Sequence, residues 1–427
     1  MAQFLVIQLA RFGDIVQTKR LMATLRMRGT VHLCVDTSLM ALARLVYPYA
    51  HVHALCAHGA PHTDAFIHNV AVFARLRALT FDQVYNINHS GLNRAVARLF
   101  DPALVHGYAM YADQPVHAPW VRMAFRWAEE RRRTPLNLVD FWAHFTMHPL
   151  APLRVNPPAA GQGRGLGVVL AGREQRRSLP IPVLAQVVHT AFESMGGVPV
   201  YLLGSAAEKS VARQLIRALP GVMLDKVHSL VGQTDWSGLA AALIGLDAVL
   251  SPDTGTMHLA AHLGVPVRAF FLSSAWCFET GPYGEGHQVW QACAECAPCL
   301  ESAACPVQVA CGAVFQSPAF VRSLAAHVHP QGSRALWLRG AQPPIPGLMT
   351  LSSTVDTVGT YWQGDMSQDV FADERQQLRD VVTEYLEPDP PLPLTVGVRG
   401  AVSATLMDTL YDESQWMLTP RDSIFAG

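Results

Sequence analysis

The chain has 427 residues, half of them hydrophobic and only 15% charged, with a formal net charge of -1. That length exceeds one ordinary core of roughly 100–200 residues and predicts two domains and a remainder. The composition excludes global disorder, and without a basic surplus no nucleic-acid partner is expected. The charge run Glu129-Glu130-Arg131-Arg132-Arg133 reads as a solvated helix end.

The opening MAQFLVIQLARFGD carries a short apolar run without a basic leader or a small-residue cleavage site, so no signal peptide is expected. No stretch approaches the roughly 20 uncharged apolar residues of a membrane span. The expected location is the cytoplasm, with peripheral contact at the inner face of the inner membrane left open.

Phe4–Leu9 predicts a buried parallel strand, and Arg11-Phe-Gly-Asp14 follows as its turn. A helix is expected from Ile15 to Arg28, a strand at Val31–Val35, a helix at Leu39–Val46 and a strand at His51–Leu55. Phe81–Asn86 and Asn93–Phe100 continue as strand and helix. This alternation predicts a parallel α/β sheet. The Pro-, Gly- and Ala-rich stretch Pro149–Gly165 reads as a linker.

The alternation then restarts. Strands are expected at Leu166–Leu170, Pro199–Leu203, Ala248–Leu250 and Val267–Leu272. Helices are expected at Ile181–Ser194, Ala207–Leu219, Trp236–Ile244 and Met257–Leu263. The domains are therefore drawn at 1–155 and 165–330, two doubly wound lobes facing across a cleft. Residues 331–427 form a C-terminal appendage with a helix at Ala372–Tyr385. Ligands of such sheets bind beyond the carboxyl ends of the strands.

Ser251-Pro-Asp-Thr-Gly-Thr-Met-His258 joins a strand to a helix. Amides at a helix start lack partners in the ladder and sit at the positive end of the dipole, an anion site. Gly255 permits close approach of a phosphate, and Thr254, Thr256 and His258 add donors. An ordinary Asp/Thr helix cap explains the same residues equally well.

The ordered stretch from Leu230-Val-Gly-Gln-Thr-Asp-Trp through Ser251–Pro266 resembles the C-terminal signature of the family 9 glycosyltransferases, the ADP-heptose:lipopolysaccharide heptosyltransferases and their relatives. The resemblance implies a GT-B fold. It assigns Asp253, Thr254, Gly255, Thr256 and His258 to the donor diphosphate or sugar. The N-terminal Leu5–Thr18 resembles the family's opening strand and Gly-Asp turn, and places the base of an inverting transfer at Asp14. The plain alternative is Asp14 as a helix cap before Ile15. Many relatives carry proline where this chain has Lys19.

Gly172–Pro180 carries Arg177 where the family places a basic residue, often lysine; Arg173 and Arg176 are alternatives for the phosphate contact. Gly204-Ser-Ala-Ala-Glu208 resembles the Gly-rich loop near the adenosine, with Glu208 reaching the ribose hydroxyls or simply solvated in a first helical turn. Residues near Asn86–Asn93 are expected on the acceptor side of the cleft. Histidines such as His62 and His89 lack partners at ligand spacing and read as surface or core residues.

Of eight cysteines, five fall between Cys293 and Cys311. The family's run matches Cys296, Cys299, Cys305 and Cys311, with Cys293 extra. Their spacing leaves open a structural zinc or iron, free thiols, or a cluster or disulfide. No cofactor is required for transfer. The expected function is inverting transfer of a heptose or similar sugar from ADP-heptose or a related nucleotide sugar to a glycolipid acceptor, the lipopolysaccharide core. Rival readings are a transferase acting on protein or another glycan, a nucleotide-sugar binding module, and a metal or iron–sulfur protein.

Overall fold

The computed structural model describes residues 1–58, 62–111, 114–117, 119–172, 175–300, 303–328 and 344–386. The first lobe is built on a sheet of six strands: β1 Ala2–Ile7, β2 Gly29–Asp36, β3 His51–Leu55, β4 Gln83–Asn86, β5 Val105–Tyr111 and β6 Gln114–His117. Their order is β3-β2-β1-β4-β5-β6, parallel except for the last pair. β1 is buried from Phe4 to Ile7, as a central strand covered on both faces must be.

The helix expected from Ile15 to Arg28 is two: α1 Phe12–Gln17 and α2 Lys19–Arg26, meeting at Thr18. Thr18 turns its hydroxyl back onto the Asp14 carbonyl at 2.7 Å. Four further helices of the first lobe are α3 Met40–Val46, α4 His62–Arg77, α5 Gly91–Ala97 and α6 Pro119–Glu129. A tight turn over Arg131–Arg133 leads to α7 Leu138–Ala143.

The linker region runs along the second lobe, where Asn156 Nδ2 bonds the carbonyls of Ala261 and Tyr283 at 2.9 and 2.7 Å. The second sheet contains β7 Leu166–Val169, β8 Val200–Leu203, β9 Val227–Ser229, β10 Ala248–Pro252, β11 Val267–Phe271 and β12 Gln288–Ala292. These six are parallel, and their order β12-β11-β10-β7-β8-β9 is doubly wound. Its helices are α8 Ile181–Ser194, α9 Lys209–Ala218, α10 Trp236–Leu243, α11 Gly255–His262, the single turn α12 Cys277–Thr280, and α13 Pro318–Val328.

The described part of the expected appendage is continuous with this sheet. β13 Leu348–Val355 and β14 Thr360–Asp365 add to β12 antiparallel. The last helix, α14 Ala372–Leu386, crosses to the first lobe, where Arg379 Nη1 bonds the Pro135 carbonyl at 2.8 Å and Arg375 Nη1 that of Arg132 at 2.7 Å. A boundary at 330 therefore separates strands of one sheet. The sequence hid this because an antiparallel pair after a Pro-rich stretch breaks the β–α alternation. Residues 387–427 lie outside the described residues.

Candidate active site between the lobes

A cavity of ≈ 1060 Å³ opens where β1 of one sheet and β7 and β10 of the other end, the positions at which each strand order reverses. Loops beyond those carboxyl ends supply its walls, as doubly wound sheets dictate. Asp14, Arg177, Gly204, Glu208, Asp253, Thr254, Gly255, Thr256 and His258 all line it. The structure therefore brings every residue expected around the donor to one space, together with the expected base.

On the second-lobe wall, β10 delivers Asp253 and α11 begins two residues later. Thr254 caps α11: its hydroxyl accepts from Met257 N at 3.2 Å and meets Ser251 Oγ at 3.2 Å. The cap and the anion site are thus compatible readings, since capping one amide leaves the Gly255 and Thr256 amides outside the helix ladder. Asp253 is buried, and its carboxylate is engaged by Arg177 Nη2 and by Thr280 Oγ1 at 3.1 Å. Arg177 Nη2 also bonds the Asp253 carbonyl at 3.0 Å. Burial pushes the Asp253 pKa up while Arg177 draws it down. Its carboxylate therefore orients Arg177; alone it would repel a diphosphate. His258 Nε2 lies 3.7 Å from Asp253 Oδ1. Burial, then Lys19 and Arg177, depress its pKa to about 3, so it presents a neutral imidazole.

Glu208 approaches from the turn after β8. Its Oε2 is buried without a hydrogen-bond partner and lies 3.1 Å from where a Cβ on Gly204 would stand. An orphaned carboxylate oxygen on a cavity wall is open to a donor from water or a ligand. Ser274 Oγ, on the same wall, is likewise buried and unsatisfied.

On the first-lobe wall, Asp14 is the third residue of α1 and closes a capping box, accepting from Arg11 N at 3.0 Å. The lobes touch here directly. A Cβ on Gly255 would fall 2.2 Å from Phe12 Cδ1, and one on Gly13 3.0 Å from His258 Cδ2. Phe12 also packs edge-on against Trp236, ring centroids 4.7 Å apart. Only a glycine at 255 lets the Phe12 ring lie on the start of α11.

Other expectations fall elsewhere. Arg176 leaves the cavity and bonds the carbonyls of Ala303 and Leu300 at 2.6 and 3.0 Å, and Arg173 lies outside the described residues. Asn86 and Asn93 are buried and bond the Tyr108 and Ile7 carbonyls at 2.7 and 3.2 Å, a strand-end brace that does not line the cavity. His89 packs among the Tyr108 and Phe125 rings; His62 opens α4, with its side chain outside the described ones.

Burial, followed by Cys296 and Cys311, raises the Cys299 thiol. Yet no group of three or more His, Cys, Asp or Glu among the described residues is placed to hold an ion. Cys305 Sγ instead accepts from Val309 N at 3.1 Å. The zinc or iron that the cysteine spacing left open gains no support from this geometry.

The reading of Arg131 as a solvated helix end is overturned. Its guanidinium lines the cavity and pairs with Glu279, Nε to Oε2 at 2.8 Å and Nη2 to Oε2 at 2.5 Å, with the arginine side chain 21% exposed. A charge run carries no information about a partner 148 residues away. Gln17, His58, Trp236, Ser274 and Thr280 also line the cavity and were not singled out. His58 and Ser274 each lie three residues beyond a strand's carboxyl end, a positional signal that could have found them. No helix among the described residues is long and apolar enough to cross a membrane.

The comparisons with known proteins agree with this fold. Residues 186–308 match the family model of glycosyltransferase family 9 (heptosyltransferase). Lipopolysaccharide heptosyltransferase 1 of Pseudomonas aeruginosa is 35% identical over 98 residues, which cover 23% of this chain and 26% of that protein; the match thus spans about a quarter of the relative. E. coli heptosyltransferase WaaC with ADP superposes with a TM-score of 0.53 at 16% identity, covering 75% of this chain and 99% of that one. E. coli ADP-heptose lps heptosyltransferase II gives 0.50 at 16% identity, covering 67% and 89%. The resemblance to glycosyltransferase family 9 is therefore borne out, by the family model in the second lobe and by a GT-B fold like that of the heptosyltransferases across both lobes.

Proposed function

We propose that this chain is an inverting glycosyltransferase that moves a heptose or similar sugar from ADP-heptose or a related nucleotide sugar to a lipopolysaccharide core acceptor. The observation that carries the reading is the cavity lined together by Asp14 of one lobe and by the start of α11, Arg177 and Glu208 of the other. In this reading the donor diphosphate meets the Gly255 and Thr256 amides and Arg177. Glu208 accepts from the ribose hydroxyls. Asp14 takes the proton of the acceptor hydroxyl as that oxygen bonds the anomeric carbon, and the bond from this carbon to the diphosphate breaks. The amides and Arg177 stabilise the charge that develops on the leaving group. Attack from the Asp14 side, opposite the diphosphate, inverts the anomeric centre. The lipopolysaccharide acceptor and the inner face of the inner membrane rest on the likeness to the heptosyltransferases.

The test is a thermal-shift and nucleoside-diphosphate-release screen of ADP-, GDP-, UDP- and CMP-sugars. An ADP-sugar should stabilise the protein and release ADP when acceptor is added. Silence with every donor would end the transferase reading.

A further inference from the structure

Arg131, Thr134 and Asn137 belong to one short stretch of the first lobe, between α6 and α7. All three grip the same piece of the second lobe. Arg131 forks onto Glu279, Thr134 Oγ1 donates to Glu279 Oε1 at 3.3 Å, and Asn137 Nδ2 donates to the Gly281 carbonyl at 3.0 Å. These contacts fix the residues on either side of Thr280. Thr280 in turn donates to Asp253 Oδ2, and Asp253 holds Arg177. An unbroken chain of hydrogen bonds and one peptide link thus runs from the first lobe to the arginine on the donor wall.

We propose that Arg131 is a positioning residue: its fork onto Glu279 is an inter-lobe latch that sets Thr280 and Asp253, and through them aligns Arg177 for the donor diphosphate when the lobes are closed. The inference rests on the donor reading given above and adds how that site is assembled. The pair is suited to the task. Both side chains are largely withdrawn from water, 21% and 12% exposed, where a forked arginine–carboxylate contact is directional as well as strong.

The test uses the full-length protein in two arms. The first is a double-mutant cycle read by calorimetric ADP binding. Arg131→Ala should weaken ADP roughly tenfold, Arg131→Lys should lie between it and wild type, and Arg131→Ala should add little in an Arg177→Ala background, because it acts through that residue. A loss that adds in full, or no loss at all, overturns the latch. The second arm is amide hydrogen exchange without ligand. Arg131→Ala should speed exchange at 277–281 and 253–258, leaving β1 and β7 protected; unchanged exchange at both segments overturns it. Where Arg131→Ala does not fold, Glu279→Gln is read in both arms with the same expectations. If wild type binds no nucleoside diphosphate, the donor reading fails, and the exchange arm alone decides whether the latch exists.

Discussion

At the level of single residues, the proposed function divides the cavity into groups that would do chemistry and groups that would hold them. Asp14 is anchored by the Arg11 amide, so its amide counterpart fits the same place. Asp14→Asn should keep nucleotide binding and lower transfer by about 10²–10⁴-fold, the usual worth of a general base; kcat at saturating donor, beside ADP affinity, checks it. Gly255 makes a different prediction. A methyl group there meets Phe12 at 2.2 Å, so Gly255→Ala must push the ring off α11. We expect a loss of about 1–3 kcal/mol in urea unfolding together with weaker ADP binding, and partial recovery of both in Gly255→Ala/Phe12→Ala. Such roles were legible unevenly. Asp14 and the Thr254–His258 turn announce themselves because they sit next to strand ends in ordered motifs. Arg131 does not, since its meaning comes from Glu279, and Asp253 reads as a ligand contact until Arg177 and Thr280 are seen on its carboxylate.

Among elements, the strands that fill the two sheet centres were readable from short apolar runs, and β3 falls where His51–Leu55 predicts it. α4 was not anticipated, and its composition explains why. Val72 and Leu76 face the core while Phe66, Ile67 and Val70 are exposed, so apolar residues lie on both faces and the helical period is blurred. β13, β14 and α14 fall in the stretch expected to be a C-terminal appendage, and the two strands extend the second sheet. Their anchor is Arg379, buried in the last helix, which bonds Asp356 between the two strands, the Gly359 carbonyl at 3.3 Å and the Pro135 carbonyl of the first lobe at 2.8 Å. Arg379→Ala removes that shared donor, although the Val358 and Gly359 amides still reach Asp356 Oδ1 and the Asp356 amide still reaches the Gly359 carbonyl. Because Asp356 is about one-third exposed, the cost is discounted to about 2–3 kcal/mol. Chemical denaturation should register that loss; a variant as stable as wild type would mean that α14 is held by its other contacts, the Arg375 bond to the Arg132 carbonyl among them.

Across the whole molecule, the two lobes and the strand pair meet in a buried polar network. Arg20 pairs with Asp140 at 2.6 Å, Tyr283 OH donates to Asp140 Oδ1 at 2.7 Å, and Thr360 N donates to Oδ2 at 3.0 Å. Lys19 lies over the Tyr283 ring at 4.9 Å. Burial lowers its pKa from 10.5 to about 7, against the pull of Asp140. The histidines that share its field, His258, His262 and His287, are each driven down to about 3, chiefly by burial. The consequences for stability have a definite sign. Between about pH 3 and 6.5 the unfolded chain protonates these histidines and the folded one does not, so stability rises with pH there. From about 7 towards 10.5 the same holds for Lys19: the unfolded chain binds a proton that the folded chain has released, and stability rises again. Below about 7 Lys19 is charged in both states, and its burial is then most costly. Lys19→Met keeps the length of the side chain and removes the charge. It should raise stability at pH 7 by about 1 kcal/mol or more and flatten the upper ramp; the histidine ramp, set chiefly by burial, narrows as the Lys19 charge is lost but persists. Urea midpoints of both proteins at pH 5, 7 and 8.5 test this, the last chosen because partly buried thiols such as Cys293, raised to about 11, begin to act in the opposite sense above 9. A gap between the two proteins that fails to narrow from pH 7 to 8.5 would mean that Lys19 stays charged in the folded interior, held by Asp140 and the Tyr283 ring.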